Sequence, residues 1–245
     1  LRMLSRSPFN LLAYGLSLIS YMTLVLSIPL ISTIAEALDV SINQIHLGIS
    51  LLFFLFSLSA IIFSLLSDIF GAYFTLKFAQ ITSLSGLLLL ANANSLSLFY
   101  TGCILIGAGT GCYSPIGRAL LLRHTIAPNA IKIFTSKISI CIILAPILSS
   151  ILARGMIFID WHYAYYCMFI LEIGLLIVSQ KILKKDQQQL ILIHNIKSSL
   201  LHCLSKKSFV LNTLSTGIGY AVFMQTIMGN TQNILNEIKQ LYSIN

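Results

Sequence analysis

Charge is what this chain lacks. Asp, Glu, Lys and Arg make up 9% of its 245 residues and 57% are hydrophobic, whereas an ordinary soluble domain is about 25% charged. The few charges fall in clusters between apolar runs, so no continuous water-facing surface can be assembled from them. A soluble globular domain is thereby excluded, and the clusters mark the loops. Acidic residues are scarcest: seven Asp and Glu against fifteen Lys and Arg give a net charge of +8. The basic residues flank apolar segments and form no basic face with interleaved aromatics, which excludes a nucleic-acid partner and points to the headgroups of a lipid bilayer.

Spacings that carry chemistry are missing too. Cys103, Cys112, Cys141, Cys167 and Cys203 contain no Cys-x-x-Cys pair and read as small apolar packing residues. His46, His124, His162, His194 and His202 share no helix face at ligand spacing, so no metal site is expected. His-x-x-x-His, Gly-x-Ser-x-Gly and paired intramembrane Asp are all absent, so no enzyme and no cofactor is expected. The chain begins at Leu1 without a charged n-region leading to a cleavage site, so its first apolar segment reads as a retained span. A Leu start fits a fragment or a non-standard initiation codon.

What is present is a series of long apolar runs. About 20 mostly apolar residues are needed to cross the hydrocarbon core as a helix, and seven runs qualify: Phe9 to Ile31, Gln44 to Leu66, Phe74 to Ala93, Leu98 to Leu121, Ile133 to Leu152, Tyr163 to Val178 and Phe209 to Gly229. All are expected to be helices, because lipid cannot satisfy a backbone that leaves its own hydrogen bonds open. The runs lack two-residue alternation, which excludes a β-barrel.

With the N-terminus in the cytoplasm, Arg2, Arg6, Lys77, Arg118, Arg123, Lys132, Lys137, Lys181, Lys184, Lys185, Lys197, Lys206 and Lys207 fall inside, and only Arg154 and Lys239 fall outside. Thirteen against two is a positive-inside bias that alternates loop by loop, so it supports the span count as well as the orientation. The organisation expected is a six-helix bundle over 1–180, a cytoplasmic loop over 181–207, and a seventh span with its tail over 208–245. Within the loop, Leu190, Ile193, Ile196, Leu200 and Leu204 recur at helical spacing, as in a helix lying on the membrane surface.

Particular motifs then carry a resemblance. Between the second and third runs stands Ser64-Leu-Leu-Ser-Asp68-Ile-Phe-Gly71-Ala-Tyr73, which resembles the cytoplasmic signature of the major facilitator superfamily: Gly, three residues, Asp, a basic residue, one residue, Gly and two basic residues. Asp68 and Gly71 match it; Ser64 replaces the opening Gly, and Ile69, Ala72 and Tyr73 replace the basic residues. Gly71 would supply a tight turn in a two- or three-residue connection, and Asp68 would either cap a helix or pair with a cation at the cytoplasmic gate.

Ser27-Ile-Pro29-Leu, Leu38-Asp39-Val-Ser41, Gly107-Ala-Gly109, Arg118-Ala119 with Arg123, Ala145-Pro146 and Trp161-His162-Tyr163 are similar, in order, to stretches of the Bcr/CflA drug:proton antiporters. Pro146 is expected to kink the fifth helix. The acidic residue of helix one in that group aligns with Val25, and the Arg of its helix-four motif aligns with Cys103. Only one carboxylate, Glu172, remains inside a run. An ionised carboxylate at that depth costs on the order of 3 kcal/mol on insertion scales, so Glu172 should be neutral, face the bundle interior or find a partner.

The resemblance implies an all-α membrane protein with a six-helix bundle of two inverted three-helix repeats plus a seventh transmembrane helix, in a bacterial-type inner membrane. It implies proton-coupled efflux of a small-molecule substrate, drug-like or xenobiotic, by alternating access, with the proton gradient as energy source. Its gate would use Asp68, Gly71, Arg118 and Arg123, its helix-five motif Ala145 and Pro146, and its proton coupling Glu172. Tyr14, Tyr21, Tyr113, Tyr220, Met224 and Gln225 are the candidates for a substrate pocket, each with helix packing as the alternative. A complete transporter of this kind has a C-terminal half, so a fragment, a decayed gene product and a half-transporter needing a partner all fit. A non-transporting scaffold or assembly subunit is the other class that fits.

Overall fold

Long apolar stretches that close their own backbone hydrogen bonds become helices, and in the computed structural model eight α-helices follow one another with no strand among the described residues. The structure describes residues 8–124, 128–184, 205–207, 211 and 215. The chain divides into two units, Leu1–Leu190 and Ile191–Asn245, and the bundle described below belongs to the first. The amphipathic segment 190–204 and the run from Phe209 to Gly229 lie outside the described residues, apart from single positions.

The first unit holds six spans long and apolar enough to cross a membrane. The first is made of α1 (Pro8–Val25), a 3-10 turn (Ile28–Leu30) and α2 (Ile31–Ala37); α3 (Ile42–Phe70) and α4 (Ala72–Leu90) are the second and third. The fourth joins α5 (Leu96–Thr110) to α6 (Tyr113–Arg123), and α7 (Pro128–Ile157) and α8 (His162–Leu183) complete the set. The first six expected runs are all there. Two of them are broken, which the apolar pattern does not reveal. Pro29 interrupts the first, and Gly111 and Cys112 separate α5 from α6 in the fourth. Pro146, by contrast, sits inside α7, which stays helical from end to end.

Local chemistry sets the helix ends. At the start of α3, the Gln44 backbone N–H donates to the Ser41 hydroxyl at 3.4 Å and the Ser41 backbone N–H donates to Gln44 Oε1 at 2.9 Å, a reciprocal capping box. Between α3 and α4 the connection is shorter than the two or three residues expected, since Gly71 alone separates them. It is buried at φ 88° and ψ 151°, a conformation open essentially to Gly. Asp68, read as a possible cap, lies in the last turn of α3, where it caps nothing.

Small residues let the spans touch backbone to backbone. A Cβ at Gly109 of α5 would stand 2.6 Å from the Ala79 carbonyl oxygen of α4, and one at Gly111 would collide with the Phe56 carbonyl of α3. Serines then tie the spans by bonding to neighbouring carbonyls: Ser20 to Thr110 at 2.9 Å, Ser59 to Ala108 at 2.6 Å, Ser149 to Met22 at 3.0 Å. Large apolar side chains of α3 and α7, among them Phe54, Ile61, Ile143 and Ile151, point away from the bundle.

The two ends differ in charge. The half of the bundle beside the start of α1, here the proximal half, carries Lys77, Arg118, Arg123, Lys132, Lys137, Lys181 and Lys184 with Asp68. The opposite, distal end carries Arg154 with Glu36, Asp39 and Asp160.

Candidate functional site

At the proximal end a crevice of about 180 Å³ opens between α3 and α6. Ser64, Ser67 and Asp68 form one wall, and Pro115, Ile116, Ala119, Leu120 and Arg123 the other. The one-residue turn at Gly71 holds the end of α3 there, with Ala72 at the base. Asp68 is half-buried and Arg123 exposed, and no ion pair joins them across the gap. Arg118 takes no part in this wall. It is exposed on α6, within electrostatic reach of Tyr21 on α1. The four residues expected at one gate therefore separate into a turn, a facing carboxylate and guanidinium, and a cation directed elsewhere.

Deeper in the bundle, Glu172 of α8 is 0% exposed. Its Oε2 accepts from the Ser83 hydroxyl of α4 at 3.0 Å, and its Oε1 accepts from the Tyr113 hydroxyl. Tyr113 is the first residue of α6, so the break at Gly111 and Cys112 delivers a phenol to the middle of a span. Leu12, Leu16, Leu76, Ile116 and Leu175 belong to the buried cluster that includes Tyr113 and Cys112. A second polar rung joins the same two helices nearer the proximal end, where the Ser179 hydroxyl donates to Gln80 Oε1 at 2.8 Å.

Glu172, expected to be neutral, face the bundle interior or find a partner, faces the interior and is partnered by two hydroxyls. Ser83, Gln80 and Ser179 were missed because isolated Ser and Gln in apolar runs are common. The available signal was their register, with Gln80 and Ser83 one turn apart on α4 against Glu172 and Ser179 two turns apart on α8. Chemically, a carboxyl enclosed by apolar side chains and held by two hydroxyls can store one proton without a counter-ion.

Tyr14 and Tyr21 lie two turns apart on a half-buried face of α1. Tyr14 packs on the cluster of Ala13, Leu121, Ala130, Phe134 and Ile138, and among the described residues its hydroxyl has no hydrogen-bond partner. Tyr21 meets Phe56 of α3 edge to face at 5.7 Å. Tyr113 is fully buried against Glu172. Ala145 is fully buried and Pro146 half-buried in α7. Val25 and Cys103, where the resembling antiporters carry an acid and an arginine, are both buried. Tyr220, Met224 and Gln225 lie outside the described residues. Among the described residues, no three His, Cys, Asp or Glu side chains gather as a metal site would require.

Among the described residues, six apolar spans, serine and glycine contacts between them and a single buried carboxylate define an all-helical, multi-pass membrane protein. Residues 12–239 match the family model of the Major Facilitator Superfamily, and the chain belongs to that superfamily, whose members carry small molecules across membranes. No curated protein gives a significant match.

Proposed function

We propose that this chain exports small apolar or cationic compounds, drug-like in character, against proton entry. The observation that carries this reading is Glu172, a buried carboxyl whose neighbours are hydroxyls from two other spans. A group so placed has its charge state tied to the surroundings of α4, α6 and α8. Movement of those helices would therefore change its affinity for a proton, and by linkage the proton would bias the movement. Alternating access supplies that movement, with this six-helix unit rocking against a second bundle.

Asp68 and Arg123 would form the proximal gate, closing by ion pairing across the crevice they already line. Tyr14 and Tyr21 would contribute to the substrate path. The charge distribution supports a cytoplasmic proximal end, hence a cytoplasmic N-terminus and an inner-membrane location, since basic residues are retained on that side during insertion. The test is efflux of a cationic dye from proteoliposomes under an imposed pH gradient. Dye movement that follows the gradient and collapses with a protonophore is expected; no gradient-dependent flux from the full-length protein would sink the proposal.

A further inference from the structure

The distal end carries a polar cluster that the transport reading does not use. It joins two connections: the turn between α4 and α5, and the link between α7 and α8. His162 opens α8, with its ring half-buried and stacked on the Trp161 indole at 3.8 Å between centroids. Its Nδ1 lies 2.6 Å from Asp160 Oδ1 in the α7–α8 link. Its Nε2 lies 3.1 Å from the carbonyl oxygen of Ala93 in the α4–α5 turn. Beside it the Tyr166 hydroxyl donates to Asn92 Oδ1 at 2.7 Å, a second tie between the same two places.

Both ring nitrogens thus face oxygens that accept. The Ala93 carbonyl can only accept, and so can Asp160 when ionised. A neutral imidazole has one N–H and leaves its other nitrogen lone pair against an oxygen lone pair; an imidazolium has two and satisfies both. We propose that His162 is a proton-dependent latch, which fastens the α4–α5 turn to the start of α8 when doubly protonated and releases the Ala93 arm when it loses a proton.

The geometry also fixes which arm lets go. The contact to Asp160 is short and charge-assisted, so the remaining proton stays on Nδ1 and the longer bond to Ala93 is lost. Asp160 and the Trp161 ring face the imidazole from its own link, and the Ala93 carbonyl faces it from the neighbouring turn; no other ionisable side chain among the described residues hydrogen-bonds to the ring. The Asp160 carboxyl is held below its usual range, first by the backbone N–H of His162, against an opposing effect of burial, and further by the ring. Asp160 therefore keeps its charge until strongly acid pH. The latch is closed while the ring holds two protons beside an ionised Asp160, and opens when rising pH takes one of them away. It reads the pH of whichever compartment the distal end faces.

The test uses the full-length protein in lipid nanodiscs with 15N-labelled histidine. Long-range proton–nitrogen correlation should show His162 with two protonated nitrogens at pH 5.5 and an Nδ1–H tautomer at pH 8. Hydrogen exchange at the amides of Asn92, Ala93, Tyr163 and Ala164, corrected for intrinsic rate, should be slower at pH 5.5 by about fivefold, the factor expected for one hydrogen bond of about 1 kcal/mol. His162→Arg, with a permanent cation able to reach both acceptors, should hold exchange slow at both pH values; His162→Gln should make it pH-independent. A neutral ring at pH 5.5, or wild-type exchange that is flat across this range, overturns the latch, and neither result depends on a variant that folds.

Discussion

Glu172 shows how a residue can be legible while its chemistry is not. As the one carboxylate inside an apolar run it could be singled out directly, but Ser83 and Tyr113, which make its position tolerable, resemble dozens of other residues until α4, α6 and α8 are packed together. Two variants separate its possible roles. Glu172→Gln keeps an acceptor for Tyr113 but cannot exchange a proton, so gradient-driven flux should fall to background while dye-for-dye exchange continues. Unchanged flux would make Glu172 a packing residue. Ser83→Ala removes one donor from a fully buried carboxyl and should lower stability by about 1–3 kcal/mol, measured as a shift in thermal unfolding in detergent; no shift would mean that another donor takes its place.

Spans one to six were readable as elements from run length alone, with boundaries moved by a few residues. Breaks within them were not, because the stretch through Gly111 and Cys112 is as apolar as an unbroken helix, whereas Pro146, the conspicuous breaker, leaves α7 continuous. Packing decides these cases. Gly111 lies against the Phe56 carbonyl of α3, while a Cβ at Gly174 on α8 would meet nothing within 4 Å among the described residues. Gly111→Leu should therefore abolish the folded monomer on size-exclusion chromatography, and Gly174→Leu should leave it intact; equal behaviour of the two would refute the close approach. At the α3–α4 turn, Gly71→Ala places a side chain at φ 88°, which costs about 1–3 kcal/mol and should lower the melting temperature without preventing insertion.

For the molecule as a whole, the charge pattern and the spans agree: alternating loops carry the basic residues, and the described spans put seven of them in one half of the bundle and one at the other end. The order of motifs pointed to the superfamily that residues 12–239 match. It could not show that Asp68 faces Arg123 across a crevice, because that depends on the spacing of α3 and α6. If the proximal end is cytoplasmic, an impermeant maleimide added to intact cells should label Asn94→Cys in the distal turn and spare Lys184→Cys, in a background without the native thiols. The reverse pattern would invert the orientation.

Coupling is the central claim, and it is tested most directly by running the reaction backwards. In proteoliposomes with no initial pH gradient, an imposed gradient of the cationic dye should drive protons the opposite way, read as a change in lumenal pH that the Glu172→Gln protein does not produce. Dye movement with no opposing change in lumenal pH would contradict proton-coupled export.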